Sequence, residues 1–234
     1  MDRRYRPERI IEAISHCRPD IVLLQEVDDG VPRSRRHRQV DLLAEALNLP
    51  HTAYQRNVHL RTGHYGNAIL SRFPLYDIRN LELTVPLKKR RRGLIAHCRL
   101  AAAGHSRTVV LANFHLGLAG YERTIQLRRF LDGDTLKHVH TRTPVIAAGD
   151  FNDVWGTLGR RLMIPAGFQP ASHQIKTFPA FMPVRTLDHV FYRGNIDLDH
   201  SFASHTQNAR QASDHLPMVA DFLLRIPATT ESHV

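Results

Sequence analysis

The sequence predicts a layered α/β or α+β fold, because helical patterns alternate with short apolar strands along nearly the whole chain. Hydrophobic residues make up 42% of the 234 residues, which is enough for a sizeable core and argues against bulk disorder. We find no internal repeat, low-complexity stretch or linker in the sequence. We therefore expect one domain over residues 1–226 and a polar, disordered tail over residues 227–234.

Each predicted element follows from a local pattern. Pro7 suits a first helical turn, Ile10 and Ile14 recur on one helical face, and Pro19 ends this helix. The apolar run from Ile21 to Leu24, bounded by polar residues, is typical of a buried strand. The same rules predict helices over residues 39–47 and 121–131. They predict further strands over residues 67–72, 94–100, 108–114, 144–151, 187–192 and 218–224.

The charge balance favours an anionic partner. The formal net charge is +10, which suits nucleic acid, an anionic membrane surface or a phosphorylated small molecule without choosing among them. Part of the excess lies in two basic clusters, residues 33–38 and residues 88–92. Two solvated loops would explain these clusters as well as a basic rim that guides phosphate groups into a cleft.

The sequence has no pattern that is typical of a membrane or secreted protein. The longest apolar runs are far too short to span a bilayer, and the charged start leads into no apolar signal core. Cys17 and Cys98 lack zinc-site spacing, and we expect both thiols to be reduced. These features predict a cytoplasmic protein without a transmembrane segment.

Candidate chemical groups lie at the ends of predicted strands. Asp150 and Asn152 follow one strand, and an extended backbone would place both side chains on the same face. The carboxylate could then accept a proton from water while the amide donates a hydrogen bond to a phosphate oxygen. An Asx turn that closes the strand is the simpler alternative. Glu26, just past the first buried run, is either a surface residue or points into a site.

Four more polar residues occupy similar positions. His115 ends one strand, Asp188 begins another, and Asp214 and His215 precede the last strand. Each has an ordinary explanation: a satisfied or exposed histidine, a turn residue, or a chance pair. Together, the carboxylates and the two histidines indicate phosphoryl-group hydrolysis assisted by a metal ion. Oxygen-rich sites without thiols suit Mg²⁺ or Mn²⁺ better than zinc.

Six segments, in order along the chain, resemble the endonuclease/exonuclease/phosphatase superfamily, which includes DNase I. They are residues 20–27, 66–72, 113–116, 148–153, 186–191 and 213–215. The resemblance runs from about Tyr5 to Leu224 and is strongest to a branch of small bacterial members. It implies a four-layer αββα sandwich with the site at one end of two packed sheets.

The resemblance also implies roles for the acidic residues and for the first histidine. Glu26 would be the principal metal ligand, with Asp214 as a further acidic group near the metal. Asp150 would orient or deprotonate the attacking water, and Asn152 would hold the phosphate. His115 would stabilise the phosphorane or protonate the leaving oxygen.

The remaining candidates are expected to contact the substrate. His215 would touch the phosphate, and Asp188 would fix its tautomer and favour its charged form. Asn67 would lie near the cleft, although capping of a strand end explains it equally well. Arg92, at the end of the second basic cluster, would bind the substrate.

Family members usually begin with a strand whose Asn helps to bind the metal, and we expect this chain to lack that strand. The expectation leaves two possibilities, an upstream start or a shortened protein with an incomplete metal shell. The predicted function is hydrolysis of a phosphodiester in nucleic acid, a phospholipid head group or another small phosphoester. The alternative is a weak or inactive relative that binds anionic ligands. A phospholipid substrate would need an apolar flap near the site. The candidates are Phe178, Pro179, Phe181, Met182 and Pro183, and ordinary core or loop packing is the alternative explanation for them.

Overall fold

The structure is a computed structural model that describes residues 5–102, 105–171 and 174–225. The predicted domain end at residue 226 and the predicted tail lie outside these residues. The helices are α1 (Pro7–Cys17), α2 (Gln39–Leu47), α3 (Gly120–Leu131), α4 (Asp134–Lys137) and α5 (Gln207–Ala212). The strands are β1 (Ile21–Asp29), β2 (His51–His59), β3 (His64–Ser71), β4 (Leu75–Glu82), β5 (Arg92–Ala102), β6 (His105–His115), β7 (Val145–Asp150), β8 (Gln169–Pro170), β9 (Asp188–Arg193), β10 (Ile196–Ala203) and β11 (Met218–Leu224).

The larger sheet positions the candidate residues. Its strand order is β4-β5-β6-β7-β9-β8, and only β6 and β7 run parallel to each other among these neighbours. Consequently β6 and β7 end at the same edge of the sheet, and the antiparallel strands β5 and β9 begin there. His115 pairs with Asp150, which pairs with Asp188 on its other side. We call this end of the strands, which is not an outer strand of the sheet, the His115 edge.

Apolar clusters between the layers establish the predicted four-layer sandwich. One cluster, with Leu127 and Phe130, packs α3 against the outer face of the larger sheet. A second lies between the sheets, where Ile69 meets Leu111. A third, with Leu43 of α2, covers the outer face of the smaller sheet. The order is therefore helix, sheet, sheet, helix, as the resemblance implied.

The second layer of strands is divided into two parts. One part has the order β1-β3-β2, and the other is the pair β10-β11. Among the described residues, no strand pairs with the second edge of β1 or of β11. Val22 and Leu24 of β1 are only partly buried. The expected lack of one strand stays a prediction. In the described part of the chain, no helix is long and apolar enough to cross a membrane.

The predicted helices and strands all occur, but several further elements were missed. β2 buries Ala53, Gln55 and Asn57, so two of its inward residues are polar and the apolar alternation is hidden. β4 is an edge strand with mostly exposed residues, which gives no burial pattern to detect. The short elements β8, α4 and α5 also have no strong periodicity, and the eight-residue strand β10 was missed as well.

Candidate active site

Asn113 joins the two sheets beneath the site. It is fully buried, and its amide nitrogen donates hydrogen bonds to the backbone oxygens of Leu24 (2.8 Å) and Ala68 (2.9 Å). Its side-chain oxygen accepts a hydrogen bond from Gln25 at 2.7 Å. Because Gln25 precedes Glu26, these bonds fix the part of β1 that presents the Glu26 carboxylate.

Glu26 lies on a β-bulge inside β1, so the expectation that it follows the strand was wrong. The pairing with β3 shifts between Leu24 and Val27, and Glu26 has a left-handed backbone with φ of 55°. Such a conformation costs roughly 1–3 kcal/mol and persists where the surroundings hold it. The bulge turns the carboxylate outward, half exposed, with Oε1 4.0 Å from His115 Nδ1.

His115 and Asp150 are neighbours at the His115 edge, with Nε2 and Oδ2 3.6 Å apart. Burial, together with the charges of Arg91 and Lys89, lowers the pKa of His115 to about 3. Its imidazole is therefore neutral at neutral pH, and its contacts with carboxylates are not ion pairs. Burial, together with the charge of Asp188, raises the pKa of Asp150 to about 6.

Asp188 and His215 form a charged pair beside Asp150. His215 Nδ1 donates a hydrogen bond to Asp188 Oδ2 at 2.7 Å, and Thr177 Oγ1 donates to the same oxygen at 2.5 Å. Burial lowers the pKa of His215, but the hydrogen bond and charge of Asp188, with the charge of Asp150, outweigh it and raise the pKa to about 9. His215 is thus an imidazolium at neutral pH, and Nε2 is the atom that can donate to a ligand.

Asn152 forms the turn that was the simpler alternative. Its backbone N–H donates to Asp150 Oδ1 at 2.8 Å, and its φ is 51°. β7 ends at Asp150, so the reasoning from an extended backbone was wrong for this pair. The Asn152 side chain donates to the backbone oxygen of Leu116 at 3.0 Å. One amide hydrogen is used there, and the other can serve a ligand.

Two neighbouring arginines have different environments. Arg92, the predicted substrate-binding residue, donates to Glu82 at 3.1 Å and to a backbone oxygen of β2. Arg91 is 95% buried (5% exposed), and its Nε has no hydrogen-bond partner among the described residues. Burial lowers the pKa of Arg91, and the charges of Glu26 and Asp150 partly offset this. Arg91 is therefore the arginine whose charge acts on the site, and sequence analysis missed it.

Asn67 and Asp214 are held by other contacts. Asn67 is fully buried within β3 and donates to the backbone oxygen of Arg92 at 3.1 Å. Its Oδ1 is buried without a partner among the described residues. Asp214 is exposed, and its backbone oxygen accepts a hydrogen bond from Ala180 at 2.7 Å. Its charge also helps to raise the pKa of His215.

The segment after His115 is fixed by residues that the sequence analysis did not single out. Leu116 N–H donates to the Asp150 backbone oxygen at 2.9 Å, and Gly117 N–H donates to Gln126 of α3 at 2.8 Å. The buried Glu122 carboxylate packs so closely on Gly117 that a methyl group there would collide with it. The signal in the sequence for this contact was a pair of polar residues four apart on α3, Glu122 and Gln126. Both lie on the buried face of that helix.

The oxygen donors fit a hard cation that keeps part of its water shell. In the described ranges, no group of three or more His, Cys, Asp and Glu side chains could hold a metal ion by itself. Mg²⁺ commonly needs one or two protein carboxylates, with waters and substrate phosphate oxygens as the other ligands. The half-exposed Glu26 carboxylate suits this arrangement. The role of Asp214 as a metal ligand stays a prediction.

Comparisons with known proteins agree with the fold. The model of the Endonuclease/Exonuclease/phosphatase family matches residues 1–215. The protein named Uncharacterized protein YbhP from Escherichia coli K12 is 27% identical over 235 residues, which cover 95% of this chain and 90% of that protein.

Two solved structures are also similar. An endonuclease/exonuclease/phosphatase from Beutenbergia cavernae is 26% identical with a TM-score of 0.77, and the match covers 94% of this chain and 66% of that one. A mannosyl-6-phosphatase from Bacteroides thetaiotaomicron is 18% identical with a TM-score of 0.70, and the match covers 94% and 91% of the two chains. The second likeness concerns the fold alone.

Proposed function

The chain belongs to the endonuclease/exonuclease/phosphatase family, and on this premise we propose that it is a metal-dependent hydrolase that cleaves a phosphodiester by attack of water. One observation carries the proposal. Asp188 holds His215 Nδ1 at 2.7 Å and pairs with Asp150 across the ladder between β7 and β9. With pKa values of about 6 for Asp150 and about 9 for His215, a carboxylate and an imidazolium lie together at neutral pH, as a base and an acid require.

Asp150 is the proposed general base. With a pKa of about 6, it is mostly ionised at neutral pH and still basic enough to take a proton from water. Its Oδ1 is held by the Asn152 backbone N–H, which leaves Oδ2 for the water. The water oxygen forms a bond to phosphorus as its proton moves to Asp150.

His215 is the proposed general acid. It carries a proton at neutral pH, and Asp188 holds its Nδ1. The ester P–O bond breaks as Nε2 gives its proton to the leaving oxygen. His115 cannot take this part as an imidazolium, because its pKa is about 3. As a neutral imidazole it can donate a hydrogen bond to a phosphate oxygen.

Positive charge at the site stabilises the transition state. Arg91 and His215 lie within the same electrostatic cluster as Asp150, and fixed charges in a water-poor site usually supply the largest share of catalysis. Mg²⁺ or Mn²⁺ held by Glu26 would add Lewis-acid polarisation of the phosphate oxygens. The spare Asn152 amide hydrogen can bind a phosphate oxygen.

The test is hydrolysis of bis-p-nitrophenyl phosphate with added Mg²⁺ or Mn²⁺. We expect Asp150→Asn and His215→Gln each to lower kcat/KM by about 100-fold or more. Matched controls are Asp199→Asn and His200→Gln, which change the same residue types at an exposed pair on β10. Rates that stay undiminished in either site variant would rule out the assignment.

The pH dependence gives a second check on the same roles. Activity needs Asp150 ionised, so it rises as pH increases through about 6. It also needs His215 protonated, so it falls as pH increases through about 9. We therefore expect a bell-shaped profile of kcat/KM between these values.

A non-catalytic phosphate-binding protein is the second candidate. It is favoured by the division of the smaller sheet into two parts. Isothermal titration with inorganic phosphate, alongside the turnover assay, separates the two. Binding that depends on Arg91 and His215, without turnover at any metal concentration, would support this candidate instead.

A further inference from the structure

Exposed apolar side chains project from the loops at the His115 edge. Leu87 lies between β4 and β5, Leu118 between β6 and α3, Trp155 after β7, and Phe181 with Met182 before β9. The exposed fractions are 104% for Leu87, 77% for Leu118, 79% for Trp155 and 65% for Phe181. We call these five residues the apolar tips.

Strand topology places the apolar tips on one face of the molecule. β6 and β7 end at the His115 edge, and β5 and β9 begin there. These four strands are consecutive in the sheet. With neighbouring strands about 4.8 Å apart, the loop bases span only about 15 Å. The loops that carry the tips therefore all leave the same end of the sheet, around the site.

The loop that carries Phe181 and Met182 is anchored next to His215. The Phe178 ring lies 5.0 Å from the His215 ring, measured between centroids. Ala180 is buried, and the Phe181 backbone oxygen accepts a hydrogen bond from Arg210 at 3.0 Å. The loop base is thus packed and bonded while its apolar tip faces solvent. It is the kind of flap that a phospholipid substrate requires.

Cations lie between the apolar tips. Lys88 is exposed with Nζ 5.4 Å from the centre of the Tyr121 ring, and Lys89 is exposed with Nζ 5.2 Å from the centre of the Tyr65 ring. Arg160 donates a hydrogen bond to the backbone oxygen of Trp155 at 3.2 Å. The basic cluster at residues 88–92 therefore lies at the rim of the site, and the tips and the positive charges share one surface.

A cleft beside Trp155 adds further positive charge. It has a volume of about 390 Å³ and lies between α3 and the segment that follows Trp155. Arg123, Arg128 and Arg161 line it together with Tyr121, and its described lining residues include no carboxylate. A cleft of this size and charge can take an anionic head group beside the Trp155 loop.

We propose that this face docks on an anionic phospholipid bilayer, so that the phosphoester hydrolysed at the site belongs to a lipid head group. The substrate class rests on the proposed hydrolase function, whereas docking itself does not. Apolar tips that enter the head-group region and Lys or Arg residues that meet anionic lipids act together in such binding. Nucleic acid fits the surface less well, because only Trp155 and Phe181 among the five apolar tips have an aromatic face for stacking with bases. The other three tips are aliphatic.

The single tryptophan of the chain provides the experiment, because it is one of the apolar tips. Vesicles of phosphatidylcholine with phosphatidylglycerol should shift Trp155 emission to shorter wavelength, and brominated acyl chains should quench it. Vesicles of phosphatidylcholine alone should have little effect. An unchanged emission with the anionic vesicles overturns the proposal. Tighter binding to DNA than to those vesicles, at equal phosphate concentration and ionic strength, also overturns it in favour of a nucleic-acid partner.

Variants separate docking from chemistry. Lys88→Glu should weaken vesicle binding by about fivefold or more, because it removes one positive charge from this face. Lys137→Glu, on α4, is the matched control and should leave binding unchanged. Leu87→Ser should lower head-group release from the vesicles and leave hydrolysis of bis-p-nitrophenyl phosphate unchanged, with Ile78→Ser on β4 as its control.

The two proposals fail in different ways. Vesicle binding without turnover of bis-p-nitrophenyl phosphate would overturn the hydrolase and support docking. Turnover of that soluble substrate, with vesicle binding that none of the tip or lysine variants weakens, would overturn docking and leave the hydrolase in place.

Discussion

Replacing Asp188 with asparagine removes the charge that keeps His215 protonated. Asp188 accepts the His215 hydrogen bond at 2.7 Å, and it is the first among the groups that raise the pKa of His215. It also raises the pKa of Asp150 from the other side. Asp188→Asn preserves the size of the side chain, so the change is mainly electrostatic.

The size of the effect follows from the pKa of His215. The rise from 6.5 to about 9 corresponds to roughly 3 kcal/mol in favour of the imidazolium, at about 1.4 kcal/mol per unit. Without Asp188 we expect this pKa to return to its ordinary value or below, because burial opposes the charge. At pH 8 the protonated fraction then falls from about nine-tenths to about 3%, roughly a thirtyfold loss of the acid form.

The assay is kcat/KM for bis-p-nitrophenyl phosphate, measured for both proteins across the pH range. The alkaline limb should move from about 9 to near 6.5 or lower. The acid limb should move less, because Asp150 loses the negative charge of Asp188 and, once His215 is neutral, a positive charge as well. The variant should therefore be about thirtyfold slower at pH 8 and recover towards acid pH. Thr177→Val, which removes one hydrogen bond to Asp188 without changing charge, is the control.

A loss of the same size at every pH would refute the reasoning, because it would show that Asp188 does not act through protonation of His215. The same conclusion would follow if the alkaline limb stayed near about 9 in Asp188→Asn. A ¹⁵N titration of the His215 ring measures its pKa without turnover. This titration would show whether the pKa of His215 fails to fall or whether another group is the general acid.

Three other changes test the surroundings of the site. Asn113→Leu leaves two buried strand carbonyls without their donor, and thermal unfolding should show that the free energy of unfolding falls by about 2–5 kcal/mol. An unchanged Tm would contradict the role of this residue in joining the sheets. Glu26→Gln should raise the Mg²⁺ concentration for half-maximal activity by about tenfold or more with little change in Tm, and an unaltered metal dependence would exclude Glu26 as the ligand. Gly149→Ala, at φ 133°, would place a methyl group against the Phe114 backbone. It should lower Tm more than Gly167→Ala, at φ 81° with open space around it. Equal decreases in Tm would contradict the importance of close packing between β6 and β7.

The strand ends could be predicted because each combines an apolar run with a polar residue at its boundary. His115, Asp150 and Asp188 belong to such runs, and the pairing of β6, β7 and β9 brings them together. What the pattern does not contain is which side of a strand faces the site. Consecutive side chains in a strand point to opposite faces, so Arg91 and Arg92 are expected on opposite sides. The alternation does not indicate which of the two faces the site.

The position of Glu26 and the pKa values of the two histidines depend on contacts between distant parts of the chain. The bulge at Glu26 changes the alternation in β1, and it is held by Asn113, far away in sequence. His115 and His215 are the same residue type, but one has a pKa of about 3 and the other of about 9. The difference arises from burial and from neighbours on other strands, which no local pattern records.

The two histidines differ in burial and in hydrogen bonding. Two carboxylates lie within 4.0 Å of His115, but burial and the charges of Arg91 and Lys89 lower its pKa. His215 is less buried, and its hydrogen bond to Asp188 outweighs burial and raises its pKa. Asp150 lies on β7, and Asp188 on β9 holds His215, which lies in the segment between α5 and β11. The apolar tips and the lysines lie on other loops. A change at a loop tip should alter the KM for vesicles and leave both pH limbs in place; a shift of either limb in Leu87→Ser would show that the loops and the catalytic groups are not independent.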